Sequence, residues 1–227
     1  MNDLLNSLKG QLVVSCQAYP GEPMRHPETM AQVAAAVVEG GAKAVRLQGL
    51  EDIRQARALV DVPIIGLVKE GHEGVYITPT LELARAIAEL GAEVVALDAT
   101  PRPRPDGLTV AETIAQLKES HPDVLVMADC DCLDTARHAV EAGADILGTT
   151  LAGHTDAREK TVGPDLELLQ ELVREFPDHP VIAEGRIHTP EQARAAIETG
   201  AHAVVVGTAI THPTTITTWF AAAVAGS

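Results

Sequence analysis

A Gly-Ala pair recurs four times along the chain, each time between a stretch of helical composition and a run of apolar residues. The pairs begin at Gly41, Gly91, Gly143 and Gly200, at spacings of 50, 52 and 57 residues. Glycine can adopt the left-handed backbone conformation that ends a helix, and the small alanine lets the chain turn tightly into a strand. Because each interval is long enough for two strand-helix units, the repeat predicts an eightfold alternation of strands and helices.

Eight short apolar runs match that alternation, and each is followed by a segment of helical length. The predicted strands cover residues 12–16, 44–48, 63–69, 94–99, 124–130, 146–150, 181–185 and 203–208. The predicted helices cover residues 28–39, 50–60, 80–90, 109–120, 133–142, 165–176, 190–199 and 213–224. Strands that are apolar throughout are typical of parallel sheets buried on both faces, and parallel strands require crossover connections.

We therefore predict an α/β protein whose eight parallel strands close into a (β/α)8 TIM barrel. The chain has 227 residues, close to the usual length of about 250 for this fold. No linker or shift in composition divides residues 1–227, so a single domain is expected. A doubly wound open sheet is the alternative, because a strand count alone does not establish closure. Only 2% of residues are aromatic, so the core must be built from Ala, Val, Ile and Leu.

The chain is strongly acidic, with a formal net charge of −15 from 17 basic and 32 acidic residues. Such a chain repels phosphodiester backbones and anionic lipid surfaces, so neither nucleic acid nor a membrane is an expected partner. No apolar run approaches the roughly 20 residues that span a bilayer, and the N-terminus lacks the pattern of a signal peptide. The three cysteines cannot all pair. These features predict a cytoplasmic protein with reduced thiols.

Polar residues at the ends of the predicted strands indicate where the chemistry lies. In a barrel the active site forms at the C-terminal strand ends, where side chains distant in sequence converge. The residues predicted there are Gln17, Arg46, Lys69, Asp98, Asp129, Thr149 or Thr150, Glu184, Arg186, Gly207 and Thr208. All eight strands contribute to this set, which makes the set more informative than any single strand-end charge.

The last two strands are followed by loops suited to binding a phosphate. Gly185 follows strand seven and Gly207 follows strand eight, at the two places where barrel enzymes often bind phosphate. Glycine lets backbone amides approach an anion, and Arg186 could add a charge-assisted contact. In so acidic a chain the site must create its own positive potential. The candidates for that potential are Arg46, Lys69, Arg186 and Arg104.

Lys69 ends strand three, so its amine would project into the closed part of the barrel. Burial disfavours the charged form and lowers the pKa of the amine, which makes a lysine a base or an imine-forming nucleophile near neutrality. Glu184 on strand seven can serve as the complementary acid or base. The residues alone leave base chemistry, imine chemistry and a structural salt bridge between these two groups open.

The sequence predicts no cofactor and no metal. The run DCDC at residues 129–132 lacks the paired spacing and the partner ligands of a zinc site. The histidines show no helical metal spacing, and no glycine-rich dinucleotide fingerprint follows the first strand. His72, His154 and His188 lie in predicted loops near the active face and are secondary candidates for polar groups of the site.

Seven sequence blocks fall near the strand ends in one order along the chain. They cover residues 14–24, 44–53, 63–80, 96–107, 127–130, 149–155 and 181–192, and they include VSCQAYPGEPM, PIIGLVKE, TTLAGHT and VIAEGRIHTPEQ. Together these blocks resemble N-acetylmannosamine-6-phosphate 2-epimerases over nearly the whole chain. The resemblance implies a cofactor-independent barrel enzyme that interconverts N-acetylmannosamine 6-phosphate and N-acetylglucosamine 6-phosphate in amino-sugar and sialic-acid catabolism.

The same resemblance implies roles for individual residues. Lys69 and Glu184 carry over as the catalytic pair. The residues implied to contact the sugar are Gln17, Arg46, Asp129 and Thr150, and those implied to bind phosphate are Gly185, Arg186, Gly207 and Thr208. The chain departs from the family pattern where His212 replaces a frequent Arg and where His154 replaces a common Tyr. A protonated His212 could still bind phosphate, which predicts tighter substrate binding at mildly acidic pH.

The implied reaction inverts the second sugar carbon, which loses a proton readily only when ring opening has placed an aldehyde beside it. We expect neutral Lys69 to exchange that proton, while Glu184 assists ring opening or returns a proton on the opposite face. The reverse assignment of the two groups is the alternative. A lysine-imine aldolase acting on a sugar phosphate and a non-catalytic sugar-phosphate sensor are the competing functions.

The sequence does not determine the oligomeric state. A homodimer is one possibility, because barrels frequently associate through their outer helices. The Ala-rich C-terminal segment TTWFAAAVAGS, residues 217–227, could either cover the bottom of the barrel or meet a partner. The sequence does not choose between the two.

Overall fold

The computed structural model describes residues 3–71 and 74–226, which form a closed barrel of parallel strands surrounded by helices. The strands are β1 (Gln11–Cys16), β2 (Ala44–Gln48), β3 (Ile64–Leu67), β4 (Val94–Asp98), β5 (Leu125–Asp129), β6 (Ile146–Gly148), β7 (Val181–Glu184) and β8 (Ala203–Val206). The helices are α1 (Asp3–Leu8), α2 (Pro27–Glu39), α3 (Leu50–Arg57), α4 (Leu81–Glu89), α5 (Val110–Ser120), α6 (Leu133–Glu141), α7 (Leu166–Glu175), α8 (Pro190–Glu198), α9 (Thr208–Thr211) and α10 (Pro213–Ala225).

Closure of the sheet depends on the pairing of the first strand with the last. The first strand pairs in parallel with the last, so that Gln11 to Val14 of β1 lie opposite Ala203 to Val206 of β8. Each of the remaining pairs is formed by two strands that are consecutive in the sequence. This arrangement confirms the predicted (β/α)8 barrel and rules out the open sheet. All eight C-terminal strand ends therefore point to one end of the barrel.

The four Gly-Ala pairs lie at the turns that lead from a helix into a strand. Gly41, Gly91, Gly143 and Gly200 all have positive φ, between 81° and 110°. A side chain is strained in that conformation, so glycine lets each helix end and each strand begin within a few residues. The following alanines are buried against the outer face of the sheet. The pairs thus fix the short return from each of these helices to the barrel.

The N-terminal end of the barrel is covered by α1, which is absent from the predicted helices. Leu5 and Leu8 of α1 are buried together with the residues that fill the barrel interior, including Val13 and Ile65. The ring Nε2 of His202 lies 2.7 Å from the carbonyl oxygen of Leu5 and ties α1 to β8. The C-terminal segment does not cover this end, since α10 contains no buried residue.

Two loops at the opposite end differ from the predicted strand bounds. After β3 the chain folds back, so that Lys69 forms an antiparallel bridge with Ile77, and the strand ends at Leu67 rather than at residue 69. After β8 the chain turns into α9 at Thr208, within the predicted strand 203–208. The Thr211 hydroxyl donates to the carbonyl of Ser15 at 2.7 Å and anchors α9 to β1. Both differences move polar side chains over the barrel mouth.

The helices of this barrel are short. Among residues 3–71 and 74–226, no helix combines the length and the apolar character needed to cross a lipid bilayer.

The three cysteines are free thiols, with Cys16 and Cys130 buried.

Candidate active site

The C-terminal strand ends surround a cavity of about 790 Å³. This volume lies within the range of roughly 300–1,000 Å³ that is typical of small-molecule sites. The predicted site residues that line the cavity are Gln17, Arg46, Lys69, Thr150, His154, Glu184, Gly185, Arg186, His188, Gly207, Thr208 and His212. Asp129 and Arg104 are not part of the lining. The closed barrel thus brings together residues separated by almost 200 positions in the sequence.

Lys69 extends from the folded-back loop after β3 into this cavity. Its Nζ donates a hydrogen bond to Oε1 of Gln17 at 2.8 Å and lies 5.7 Å from the ring centroid of Tyr19. Burial lowers the pKa of the amine, and the positive charge of Arg46 lowers it further, while the carboxylates of Glu184 and Asp129 oppose both effects. The amine is therefore easier to deprotonate than an ordinary lysine.

Gln17 is itself held by a second hydrogen bond. Its Nε2 donates to Oγ of Ser15 at 2.8 Å, while its Oε1 accepts from Lys69. The amide therefore connects the start of the β1–α2 loop with the amine across the barrel mouth. No salt bridge joins Lys69 to Glu184 in the described part of the chain, so the structural ion pair considered above is not formed.

Arg46 and Asp129 form a buried ion pair beneath the cavity. The Arg46 Nη2 lies 2.6 Å from Oδ2 of Asp129 and Nη1 lies 3.2 Å from Oδ1, and the two side chains are 1% and 0% exposed. Burial acts to lower the pKa of Arg46, but the charges of Asp129 and Glu184 outweigh it and raise that pKa. Asp129, predicted to contact the sugar, binds Arg46 from below the cavity floor.

Glu184 ends β7 beside this pair, and its side chain is only 12% exposed. Its Oε2 lies 3.1 Å from Nη1 of Arg46 and 3.1 Å from the Thr150 hydroxyl. Burial raises the pKa of the carboxyl, the Arg46 charge opposes that rise, and the Asp129 charge adds to it. Glu184 therefore binds a proton more readily than an ordinary glutamate.

The two threonines after β6 have different partners. The Thr149 hydroxyl donates to the carbonyl of Glu184 at 2.8 Å and accepts from its amide at 3.0 Å, so it fixes the backbone of β7. The Thr150 hydroxyl contacts the carboxyl groups of Glu184 and Asp129. Of the two, Thr150 lines the cavity and Thr149 does not.

The predicted phosphate loops lie at one side of the cavity. Gly185 has a φ of 109° and Arg186 a φ of 56°, so the turn after β7 has a left-handed backbone at both residues. The Arg186 guanidinium donates to the carbonyls of Ala152 at 2.7 Å and Gly163 at 3.1 Å. Arg186 therefore lines the cavity while holding the β6–α7 loop.

The histidines around the cavity have separate surroundings. His212 contacts Glu22 through Nε2 and the Thr215 hydroxyl through Nδ1 at 2.6 Å, so both ring nitrogens face protein partners. The rim residue His154 has a lowered pKa, because of partial burial and the positive charges of Arg186, Lys160 and Lys69. The His188 ring packs 4.8 Å from that of Trp219. His72 lies outside the described residues.

Arg104 does not contribute to the cavity. Its guanidinium donates to the backbone carbonyls of Asp98 at 2.9 Å and Thr78 at 2.5 Å, and the side chain is buried. The Asp98 carboxylate forms an ion pair with Arg102, in which Nη2 of Arg102 lies 2.7 Å from Oδ2 of Asp98. Both residues thus stabilise the loop after β4, and neither is free to meet a ligand.

The DCDC run has hydrogen-bonding partners that account for its polar groups. Asp129 pairs with Arg46, and Asp131 accepts hydrogen bonds from the hydroxyls of Thr135 and Thr155, each at 2.6 Å. Burial raises the pKa of the Cys130 thiol well above its usual range. In the residues that the structure describes, no group of three His, Cys, Asp or Glu side chains could hold a metal ion.

The structure adds Ser15, Tyr19 and Tyr76 to the cavity lining, none of which was predicted. Tyr19 and Tyr76 are the two tyrosines of the whole chain. Burial and the charges of Asp129 and Asp98 raise the pKa of the Tyr76 phenol, so it remains a hydrogen-bond donor. The placement of both tyrosines after predicted strands, in a chain so poor in aromatic residues, is the signal that could have identified them.

Comparisons with known proteins agree on one family. Residues 30–226 match the family model NanE, described as "Putative N-acetylmannosamine-6-phosphate epimerase". Proteins named "Putative N-acetylmannosamine-6-phosphate 2-epimerase" from Cutibacterium acnes and Corynebacterium glutamicum strain R are 62% and 52% identical, over 96% of this chain and 95% and 94% of theirs. The solved structure of the N-acetylmannosamine-6-phosphate 2-epimerase from Clostridium perfringens is 39% identical, with a TM-score of 0.91 over 96% of this chain and 95% of that one.

Proposed function

Since this chain belongs to the N-acetylmannosamine-6-phosphate 2-epimerase family, we propose that Lys69 and Glu184 perform its epimerisation at the mouth of the barrel. The chain is a sugar-phosphate 2-epimerase, an isomerase, and its substrate is an amino-sugar phosphate. In the proposed reaction it interconverts N-acetylmannosamine 6-phosphate and N-acetylglucosamine 6-phosphate. One observation carries the assignment of residues: a half-buried amine with a lowered pKa and a buried carboxyl with a raised pKa face the same cavity.

The proposed mechanism follows from the acidity of the carbon that inverts. Ring opening produces an aldehyde at the first carbon, and the proton on the neighbouring carbon then becomes acidic, because the resulting enolate places its charge on oxygen. Neutral Lys69 takes that proton. Either Glu184 then delivers a proton to the opposite face, or Glu184 assists ring opening and the protonated Lys69 itself returns the proton to the other face of the enolate. A lysine with a lowered pKa and a glutamate with a raised pKa suit these roles, since catalytic groups work best with pKa values near the operating pH.

The reaction is tested by incubating the protein with N-acetylmannosamine 6-phosphate in deuterated water and following the sugar by NMR. We expect the epimer ratio to approach equilibrium and deuterium to enter at the second carbon. Every proposed proton transfer uses groups of this chain, so dialysis against a chelator should leave the rate unchanged. A fixed epimer ratio would reject the proposed activity.

We propose that Arg186, together with the backbone amides near Gly185 and Gly207, binds the phosphate group. Arg186→Met should raise KM about tenfold to a hundredfold and change kcat little, because a charge-assisted hydrogen bond contributes about 1.5–3 kcal/mol. Steady-state kinetics provides the measurement. The matched control is the same amino sugar without its phosphate, for which Arg186→Met should change kcat/KM little. Equal losses on both substrates would instead point to disruption of the β6–α7 loop.

We further propose that the protein is a homodimer associated through α10. This helix contains no buried residue, and its exposed apolar side chains include Phe220 at 69% and Val224 at 89% exposure. Exposed apolar surface of this kind is typical of protein interfaces. Sedimentation analysis should therefore give the mass of two chains for the native protein and of one chain for Phe220→Asp. A native protein with the mass of one chain would contradict the proposal.

A further inference from the structure

One hydroxyl group lies between two carboxyl groups at the floor of the cavity. The Oγ1 of Thr150 is 2.7 Å from Oδ1 of Asp129 and 3.1 Å from Oε2 of Glu184. A hydroxyl carries one hydrogen, whereas an ionised carboxylate can only accept hydrogen bonds. Thr150 can therefore donate to one of the two groups, and the other contact requires a hydrogen that belongs to the carboxyl itself.

The surroundings of Asp129 show where the Thr150 hydrogen goes. Asp129 is fully buried, and Arg46 binds both of its oxygens, so the carboxyl is stabilised as an anion. The contact from Thr150 to Asp129 is also the shorter of the two. An ionised buried carboxylate with a hydroxyl at 2.7 Å accepts its hydrogen, and the Thr150 hydrogen is then no longer available to Glu184.

No second hydrogen-bond donor takes the place of the Thr150 hydroxyl at the Glu184 carboxyl among the described residues. Arg46 is close enough to form an ion pair with Glu184, but its hydrogen bonds are directed to Asp129 and to Sδ of Met127, at 3.5 Å. Among the described residues, the Thr150 hydroxyl is the hydrogen-bonding partner of the Glu184 side chain. An anionic Glu184 would thus keep the charge of Arg46 nearby but would have no hydrogen bond from that guanidinium, whereas a protonated Glu184 can donate to Thr150.

We propose that Thr150 is a positioning residue that keeps Glu184 protonated in the resting enzyme, with Oε2–H of Glu184 donating to Thr150 and the Thr150 hydroxyl donating to Asp129. Burial, the largest effect, and the nearby Asp129 charge raise the pKa of Glu184 and favour the neutral carboxyl. The pKa stays raised although the charges of Arg46 and Lys69, and any hydrogen bond donated by Thr150, act to lower it. The inference rests on the proposed function for its effect on turnover, but not for the location of the proton.

This arrangement has a consequence for the amine of Lys69. An ionised Glu184 would stabilise the ammonium form of Lys69, whereas a neutral Glu184 does not. The titratable groups that face Glu184 are Arg46 on β2, Lys69 after β3 and Asp129 on β5. Those that face Lys69 are Arg46, Asp129, Glu184, Tyr19 in the β1–α2 loop and His154 in the β6–α7 loop. A neutral Glu184 thereby favours the uncharged form of Lys69 before substrate reacts.

The protonation state of Glu184 is tested by infrared difference spectroscopy, which compares the native protein with Glu184→Gln at neutral pH. We expect the native spectrum to contain the carbonyl band of a protonated carboxylic acid, and this band to be lost in Glu184→Gln. The band should also weaken in Thr150→Val, because the valine side chain cannot accept a hydrogen bond. Absence of the band from the native spectrum would overturn the proposal, whether or not any variant folds and whether or not the protein epimerises its substrate.

The catalytic effect is tested by the pH dependence of kcat. Thr150→Val should favour ionised Glu184 and hence the ammonium form of Lys69, so the rise of kcat with pH should move to higher pH. At neutral pH we expect kcat to fall about tenfold with KM within about twofold, the scale of one lost buried hydrogen bond. Thr150→Ser, which keeps the hydroxyl, should restore the native profile. A move to lower pH would show that Thr150 donates to an ionised Glu184, and an equal loss at every pH would show a purely structural role.

Discussion

Lys69→Ala should lower kcat by about a hundredfold to ten-thousandfold, the usual contribution of one general acid or base, and change KM little. The amine has no substitute, because no other lysine lines the cavity among the described residues. Progress curves followed by NMR provide the measurement, with circular dichroism to check the fold. The matched control is Lys43→Ala, which removes an exposed lysine just before β2, at the opposite end of the barrel, and should leave kcat unchanged.

A second replacement separates proton transfer from simple charge. Lys69→Arg keeps a positive charge at this position, but a guanidinium does not lose its proton at neutral pH. We therefore expect Lys69→Arg to be nearly as inactive as Lys69→Ala. If Lys69→Arg retained most of the native turnover, Lys69 would be acting through its charge and the proposed base would be wrong.

Asp129→Ala should destabilise the protein by about 3–5 kcal/mol, because it leaves the Arg46 charge buried without its partner. For a domain of this size, that loss corresponds to a decrease in Tm of roughly 6–20 °C. Thermal unfolding followed by circular dichroism would measure it. The control is Glu175→Ala, which breaks an ion pair with Arg137 in which the side chains are 34% and 45% exposed, and which should cost at most about 1 kcal/mol.

A double replacement identifies the cause of that loss. Arg46→Met with Asp129→Ala removes both charges and fills part of the space with an apolar side chain. This double variant should be more stable than Asp129→Ala alone, since breaking a buried ion pair costs more than replacing it. Equal stability of the two would mean that the lost packing of Asp129, and not the unpaired Arg46, accounts for the effect.

The barrel could be predicted because local sequence determines its recurring units. Glycines such as Gly41 and Gly200 must end helices through a left-handed conformation, and apolar runs such as residues 94–99 suit a sheet buried on both faces. The order of the strands then follows from the sequence, because consecutive parallel strands lie side by side. For the same reason, Lys69 and Glu184 could be predicted to meet at one end of the barrel.

The sequence could not predict whether a strand-end side chain reaches the cavity or lies beneath its floor. Asp129 and Lys69 both lie at the ends of predicted apolar strands, yet Asp129 lies under the cavity floor and Lys69 within the cavity. Asp129 packs beside β6, where a Cβ at Gly148 would come within 2.5 Å of Cε of Met127 and 3.3 Å of Oδ1 of Asp129. Glycine there leaves room for the Arg46–Asp129 pair. Such contacts join residues from several strands, and no single stretch of sequence reveals them.

The uneven distribution of aromatic side chains gives this molecule its own optical reporters. Because both of its tyrosines border the cavity, any near-ultraviolet change in tyrosine absorption on adding a sugar phosphate must originate there. The single tryptophan, Trp219, lies on α10 against His188, so its emission should follow the surroundings of that helix. His188 also lines the cavity, so tryptophan emission can respond to occupancy as well as to association, whereas tyrosine absorption reports on the cavity.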